Sequence, residues 1–107
     1  MRRYEVMLIL PADAEDPAID GVIDRMGQVL REAGGEITNV DRWGRRRLAY
    51  DIGRQSEGYY LVVDCLGDPG SMRELDRVLA LADQVMRFKV VVRGEAETSA
   101  AREASAP

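Results

Sequence analysis

The sequence predicts an α+β fold, a ferredoxin-like β-α-β-β-α-β sandwich in which two helices cover one face of a four-stranded antiparallel sheet. Three observations support this prediction. Short apolar runs typical of strands occur near both ends of the chain and in its middle. Two segments between them place apolar residues at helical spacing. The 107 residues suit one domain, and the 46% of hydrophobic residues predict a packed core.

The first half of the chain predicts a strand, a helix and further strand. Residues 2–10 are predicted to form a strand, because they include β-branched and large apolar residues and end at Pro11. Asp16 is expected to cap a helix with Pro17 at its first position, and Gly34 follows the helix end. The apolar residues at helical spacing are Ile19, Val22, Ile23, Met26, Val29, Leu30 and Ala33. Strand is expected over 36–43 and 45–52, with a bend or bulge at Gly44 between them.

The second half predicts the remaining strand, helix and strand. We expect a polar turn over 53–58 and a strand over 59–66. Ser71 and Glu74 have the spacing of a capping box that opens the second helix. A last strand is expected over 85–93. Composition divides the chain into a folded domain, residues 1–94, and a tail, residues 95–107, which lacks large apolar side chains and is expected to be disordered.

The residue types present exclude several kinds of active site. The chain has no histidine, and Cys65 is its only cysteine. An intrachain disulfide, a Cys/His zinc site and a Cys-His or Ser-His-Asp catalytic set are therefore excluded, and no metal or cofactor is expected. Cys65 lies in an apolar run and is predicted to be a buried core thiol. The apolar run from Val6 to Leu10 is too short for a membrane span or a signal peptide, which predicts a cytoplasmic protein.

One face of the predicted sheet has no cover from this chain. Strand alternation assigns the side chains of each strand to one face or the other. Those expected to face the helices are Tyr4, Val6, Leu8, Leu10, Leu48, Tyr50, Ile52, Phe88, Val90 and Val92. The open face is expected to be apolar at its centre, where a partner protein would dock, through Met7, Ile9, Tyr60, Val62 and Val91. Its basic margins are expected to include Arg3, Arg45, Arg47, Arg87, Lys89 and Arg93, with Arg46 on the helix side.

Charge is distributed unevenly around a net value of -4. Residues 11–20 hold four acids and no base, whereas residues 42–54 hold five arginines against Asp51, a local balance of five minus one, or +4. Guanidinium groups match phosphate bidentately, so the basic segment predicts phosphate contacts. For any single arginine, a solvated charge at the sheet edge is the alternative interpretation.

The segment Trp43-Gly44-Arg45-Arg46-Arg47-Leu48-Ala49-Tyr50-Asp51-Ile52-Gly53-Arg54 resembles the signature of the bacterial small-subunit ribosomal protein six family. The opening Met1-Arg2-Arg3-Tyr4-Glu5 and the segment Gly58-Tyr59-Tyr60 are also similar to that family. The resemblance implies a structural ribosomal protein without catalysis, cofactor or small-molecule substrate. It also implies binding to the central domain of the small-subunit ribosomal RNA, jointly with small-subunit ribosomal protein eighteen. The expected RNA-binding residues are Arg2, Arg3, Arg45, Arg46, Arg47, Arg87, Lys89 and Arg93.

Three other functions occur on this fold class, and the sequence matches each of them poorly. An acylphosphatase-like hydrolase needs a phosphate-binding loop after the first strand, but residues 11–16 are acidic and lack glycine. A single-strand-binding RNA-recognition motif is only partly matched over residues 57–64, where Leu61 and Asp64 replace stacking aromatics. A ligand-binding regulatory domain would need small residues at a pocket mouth, and no convincing set is present.

Overall fold

The computed structural model describes residues 1–95 and contains the six elements in the predicted order. They are β1 (Arg2–Pro11), α1 (Asp16–Glu32), β2 (Glu36–Ile52), β3 (Gln55–Gly67), α2 (Pro69–Leu81) and β4 (Arg87–Glu95). The strands pair antiparallel in one sheet of order β2-β3-β1-β4, so β1 and β3 are central and β2 and β4 are edges. The predicted ferredoxin-like α+β fold is confirmed.

The core lies between the two helices and one face of the sheet. In β1, every second side chain from Tyr4 to Leu10 is buried, as the alternation predicted. The other buried members of this cluster are Ile19, Val22, Met26 and Leu30 from α1, Leu61, Val63 and Cys65 from β3, and Met72, Leu75 and Leu79 from α2. Phe88 and Val90 pack partly against it. Val92 lies opposite Tyr4 and so shares the helix-facing side as predicted, but it is on the edge strand and remains 53% exposed.

The start of α1 depends on packing rather than on a side-chain cap. The N-cap residue is Glu15, not Asp16 as predicted, and its side chain makes no capping hydrogen bond. Pro17 lies in the first turn as expected, and the helix ends at Glu32, just before the predicted glycine pair. Because no cap stabilises this end, burial of residues such as Ile19 must hold the helix on the sheet.

An ion pair between β2 and α1 adds a second attachment at that end. Arg42 donates a hydrogen bond to Asp20, and its Nη1 lies 3.7 Å from an oxygen of Asp16. The hydrogen bond to Asp20 raises the pKa of Arg42 above its ordinary value. This arginine therefore serves to join strand and helix on the covered side of the sheet.

A capping box opens α2, one turn earlier than predicted. The Ser71 N–H donates to Asp68 Oδ1 at 2.8 Å, and the Asp68 N–H donates to Ser71 Oγ at 3.1 Å. The prediction of Ser71 and Glu74 as the capping pair was wrong. Glu74 instead accepts from Nε of Arg77 at 3.1 Å within the helix. The sequence predicted a break at Asp68-Pro69-Gly70, and so the capping pair of Asp68 and Ser71 was missed. Proline is in fact well suited to the first turn of a helix.

Replacing Asp68 by Ala is expected to lower the melting temperature in a pH-dependent way. The hydrogen bond from the Ser71 backbone lowers the pKa of Asp68 in the folded state. A carboxyl group with a lowered folded pKa stabilises above its unfolded pKa of about 3.9 and loses this effect as pH falls through the folded pKa. Thermal melts from about pH 7 to pH 2 should therefore show the gap between wild type and Asp68→Ala narrowing in acid. Asp68→Asn, which keeps an acceptor but does not titrate, is the control, and a pH-independent gap would contradict the prediction.

The hairpin of β2 and β3 is longer than predicted. Residues 36–43 and 45–52 belong to one continuous strand, and β3 begins at Gln55 rather than at residue 59. Only Gly53 and Arg54 remain as the turn, with Ile52 opposite Gln55. Residues 55–58 were predicted as turn because they are polar, but backbone pairing with β2 does not require apolar side chains. The last strand begins at Arg87, two residues later than predicted.

The described part of the chain ends in β4 at Glu95, one residue beyond the predicted domain boundary. The tail predicted to be disordered, apart from Glu95, lies outside the described residues. Within residues 1–95, neither helix has both the length and the apolar character needed to cross a membrane.

Candidate nucleic-acid and protein interface

The sheet face opposite the helices is the candidate site. In β1, Glu5, Met7 and Ile9 alternate with the core residues and so point away from the helices. Residues paired across a sheet share a face. The partners of these three are Asp64, Val62 and Tyr60 in β3, and Val91, Lys89 and Arg87 in β4. The placement of Met7, Ile9, Tyr60, Val62, Val91, Arg87 and Lys89 on one open face is thus confirmed, while their contacts stay predictions.

A bulge in β2 changes which side chains that strand adds to the face. Asp41 lies opposite Val62 and Arg42 opposite Leu61, but the next paired residue is Gly44, opposite Tyr60. Trp43 is the extra residue, and Gly44 has φ of +83°, in the left-handed region that favours glycine. The extra residue reverses the alternation, so Gly44 and Arg46 lie on the open face and Arg45 and Arg47 do not, up to a second register shift after Arg47.

The three consecutive arginines are therefore oriented opposite to the prediction. Arg46 lies opposite Gly58 on the open face, whereas Arg45 and Arg47 lie opposite Tyr59 and Glu57 on the helix side of the strand. The prediction of Arg45 and Arg47 on the open face, with Arg46 behind it, was wrong. The predicted orientation rests on Leu48 facing the helices, because alternation then turns Arg45 and Arg47 outward. Leu48 does not face the helices.

Leu48 is buried on the open face instead. Ile9 and Leu48 both lie close to Gly58. A Cβ added at Gly58 would lie 2.5 Å from Ile9 Cγ2 and 3.4 Å from Leu48 Cδ2, so a side chain there would displace its neighbours. Leu48 therefore packs near Ile9, and only 8% of it is exposed. Tyr50 and Ile52 were also predicted to face the helices, but they line the same open-face pocket as Leu48, and Tyr50 is 72% exposed.

An apolar pocket of about 290 Å³ lies at the centre of this face. Its apolar lining includes Met7, Ile9, Leu48, Tyr50, Ile52 and Tyr60. Arg87 and Lys89 of the edge strand β4 complete its wall. Val62 was predicted to contact a partner, but it is only 4% exposed and offers little surface for contact. The pocket thus combines an apolar interior with positive charge along one side.

An aromatic pair lies beside the pocket and was not predicted. The rings of Trp43 and Tyr60 stack with their centroids 6.2 Å apart and their planes within 10°. The Trp43 Nε1 donates to Asp41 Oδ2 at 3.0 Å, and the guanidinium carbon of Arg46 lies 5.8 Å from the Trp43 ring centroid. The Trp43-Gly44 pair in the sequence indicates this arrangement, because a glycine next to an aromatic residue in a strand favours a bulge that reorients the aromatic side chain.

Ion pairs divide the predicted RNA-binding cations into two groups. Arg45 donates to the Ala12 carbonyl at 3.3 Å and lies 3.9 Å from a carboxylate oxygen of Glu57. Arg93 donates to Glu5 at 2.9 Å. For the remaining six, no carboxylate of the described residues lies within ion-pair distance: Arg2, Arg3, Arg46, Arg47, Arg87 and Lys89. These six are the better placed to meet phosphate.

Two carboxylates lie at the end of the face remote from the hairpin turn. Asp64 is 6% exposed and accepts a hydrogen bond from Asn39 Nδ2 at 3.4 Å, and Glu5 lies opposite it. Cys65, on the other side of the same strand, is 1% exposed, as predicted. Burial raises the pKa of its thiol to about 11, so the thiol stays protonated and unreactive at neutral pH.

Replacing Gly44 by Ala is expected to destabilise the protein by about 1–2 kcal/mol, because an L-residue is strained at positive φ. A Cβ at Gly44 meets no atom within 4 Å, so the cost is conformational and not steric. Gly21→Ala is the matched control. Gly21 lies within α1 and its added Cβ is also free of contacts, so this variant should gain about 0.5–1 kcal/mol. Urea unfolding measures both changes in stability. If both variants were stabilised, or both destabilised, the positive φ of Gly44 in the bulge would be contradicted.

The fold and this face together define a class, a small α+β sandwich with an uncovered sheet edged by cations. Three comparisons with known proteins identify the family within this class. The sequence model of the family described as Ribosomal protein S6 matches residues 3–92. Small ribosomal subunit protein bS6 of Cutibacterium acnes is 44% identical over 91 residues, which are 85% of this chain and 95% of that protein. The bS6 protein of Moorella thermoacetica is 39% identical over 99 residues, 92% of this chain and 100% of that protein.

A solved structure agrees with these sequence matches. The crystal structure of 30S ribosomal protein S6 from Thermotoga maritima superposes with a TM-score of 0.76 and 27% identity, covering 86% of this chain and 87% of that one. The chain belongs to the ribosomal protein S6 family. It is a structural constituent of the small ribosomal subunit and not an enzyme.

Proposed function

We propose that this protein binds the central domain of the small-subunit ribosomal RNA together with small-subunit ribosomal protein eighteen, on ribosomes of the cytoplasm. The observation that carries the proposal is the open sheet face, with an apolar pocket at its centre and cations free of ion pairs at both edges. Apolar surface of this kind marks a protein contact, and unpaired guanidinium groups mark a phosphate contact.

The strand order supports two RNA-contacting margins around a protein-contacting centre. Arg46 lies on the edge strand β2, and Arg87 and Lys89 lie on the opposite edge strand β4. Three strand spacings, about 14 Å, separate the two edges. A protein segment docked on the centre would lie between these cations, and RNA would meet the partner and both margins together.

Charge complementarity supports a basic partner. The net charge of -4 gives weak long-range attraction for RNA. On the open face away from the hairpin turn, Asp41 is exposed, whereas Glu5 is paired with Arg93 and Asp64 is buried. A basic partner would be attracted by the net negative charge of this chain and would bring additional positive charge to the RNA surface. Joint binding follows from this division of charge.

A filter-binding titration with the ribosomal RNA junction, with and without protein eighteen, tests the proposal. The partner is expected to tighten RNA binding by about 5- to 150-fold, the usual range of coupling between two binding events. The titration is repeated from about 50 to 200 mM salt, because phosphate contacts make affinity fall with salt. Equal affinity with and without the partner would contradict joint binding. No RNA binding by the pair at low salt would contradict the RNA assignment itself.

A further inference from the structure

Of the three consecutive arginines, Arg46 alone is held by an aromatic ring. Its guanidinium carbon lies 5.8 Å from the centroid of Trp43, and Trp43 is itself held by the stack on Tyr60 and the hydrogen bond to Asp41. The Trp43-Gly44 bulge brings these groups to one face, since without it Arg46 would point to the helix side. Bulge, ring pair and arginine thus form one local arrangement, which we call the Trp43 platform (Trp43, Tyr60 and Arg46).

A contact with a ring restrains an arginine without consuming its hydrogen-bond donors. A guanidinium group has five N–H donors, and its attraction to a ring does not require any of them. No carboxylate of residues 1–94 lies within ion-pair distance of Arg46. Arg45, by contrast, uses donors on the Ala12 carbonyl and lies near Glu57. The guanidinium group of Arg46 is therefore restrained while its N–H donors can still bind phosphate, whereas Arg45 already donates to the protein itself.

We propose that Arg46 is the main phosphate-binding arginine of the 45–47 run and that Trp43 is its positioning residue. The proposal rests on the RNA-binding function proposed above and specifies how the β2 edge performs it. Restraining the guanidinium before binding reduces the entropy that a long side chain loses when it meets phosphate. The aromatic pair of this chain thus orients a cation, in contrast to the base-stacking aromatics of single-strand-binding domains.

The test measures RNA affinity and its salt dependence for the pair of this chain with protein eighteen. Arg46→Ala is expected to reduce the salt slope by about one unit, the effect of one lost phosphate contact. Arg45→Ala, the matched control from the same run, should leave the slope unchanged. Trp43→Leu should weaken binding by about 2- to 5-fold, the range of an exposed cation–π contact, and Trp43→Phe, which keeps a ring, by less.

A double variant separates positioning from a general structural role. If Trp43 acts through Arg46, then Trp43→Leu will cause no further loss when Arg46 is already Ala, because the contact is absent. Additive losses, or an unchanged salt slope in Arg46→Ala, would overturn the inference while leaving RNA binding by the wild-type pair intact. A wild-type pair that fails to bind would overturn the proposed function and this inference with it. Because Trp43 is the only tryptophan, its fluorescence also reports the platform, and a change on RNA binding is expected in wild type and not in Arg46→Ala.

Discussion

The variant Leu8→Ala is expected to lower the free energy of unfolding by about 2–5 kcal/mol. Leu8 lies in the central strand β1, is fully buried and belongs to the core cluster between the sheet and both helices. Truncation removes apolar contacts and leaves a cavity that helices and sheet together cannot easily close, because neighbours on all sides are anchored in regular structure. Urea unfolding followed by circular dichroism measures the loss directly.

Leu81→Ala provides the matched control for Leu8→Ala. Leu81 is the last residue of α2 and is 70% exposed, so the same chemical change should alter stability by no more than about 0.5 kcal/mol. Comparable losses in the two variants would contradict the assignment of the core to the helix side of β1.

The variant Met7→Lys is expected to weaken binding to protein eighteen by about 150- to 5,000-fold. Met7 is half-buried at the wall of the open-face pocket, opposite Lys89 of β4. In the free protein, the new ammonium group can reach solvent while its stem covers the pocket. In the complex it would be desolvated beside another cation, and an unpaired buried charge costs about 3–5 kcal/mol. Calorimetric titration of the two proteins measures the affinity.

Leu81→Lys is the control for Met7→Lys, because it places the same charge on an exposed helical site, and its affinity should equal that of wild type. Circular dichroism should show both variants folded. If Met7→Lys retained full affinity, the partner would not cover the pocket, and the proposed division of the face into a protein-binding centre and RNA-binding margins would be wrong.

Membership of the ribosomal family bears on the alternatives that the sequence left open. The acylphosphatase-like hydrolase is excluded, because the family is structural and not enzymatic. The structure adds that the carbonyl of Ala12, in the loop after β1, accepts a hydrogen bond from Arg45. That arginine is thus tied to the backbone of the loop and does not form part of a phosphate cradle there.

The sequence by itself determined the order of the elements and the core of the central strand. In β1 the positions Tyr4, Val6, Leu8 and Leu10 are all apolar, whereas the opposite face of the strand includes Arg3 and Glu5. This difference assigns the set from Tyr4 to Leu10 to the core, and the structure buries all four. The spacing of Ile19, Met26 and Leu30 likewise allows only one buried face for α1. These are local periodicities, which the chain carries in its residue pattern. The family resemblance of residues 43–54 was equally readable without coordinates.

Only the tertiary structure decided which way the end of β2 faces. Leu48 is apolar and could be buried on either side of the sheet, and the hairpin packs it near Ile9 and not beneath the helices. One extra residue at Trp43 reverses the side chains of the paired residues from Gly44 to Arg47, so Arg46 joins the open face and Arg45 leaves it. The sequence marked Gly44 as a bend or bulge, but the count of residues in that bulge depends on pairing with β3. Strand pairing is a long-range interaction. The alternation of side chains along β2 does not reveal a one-residue shift in its pairing with β3.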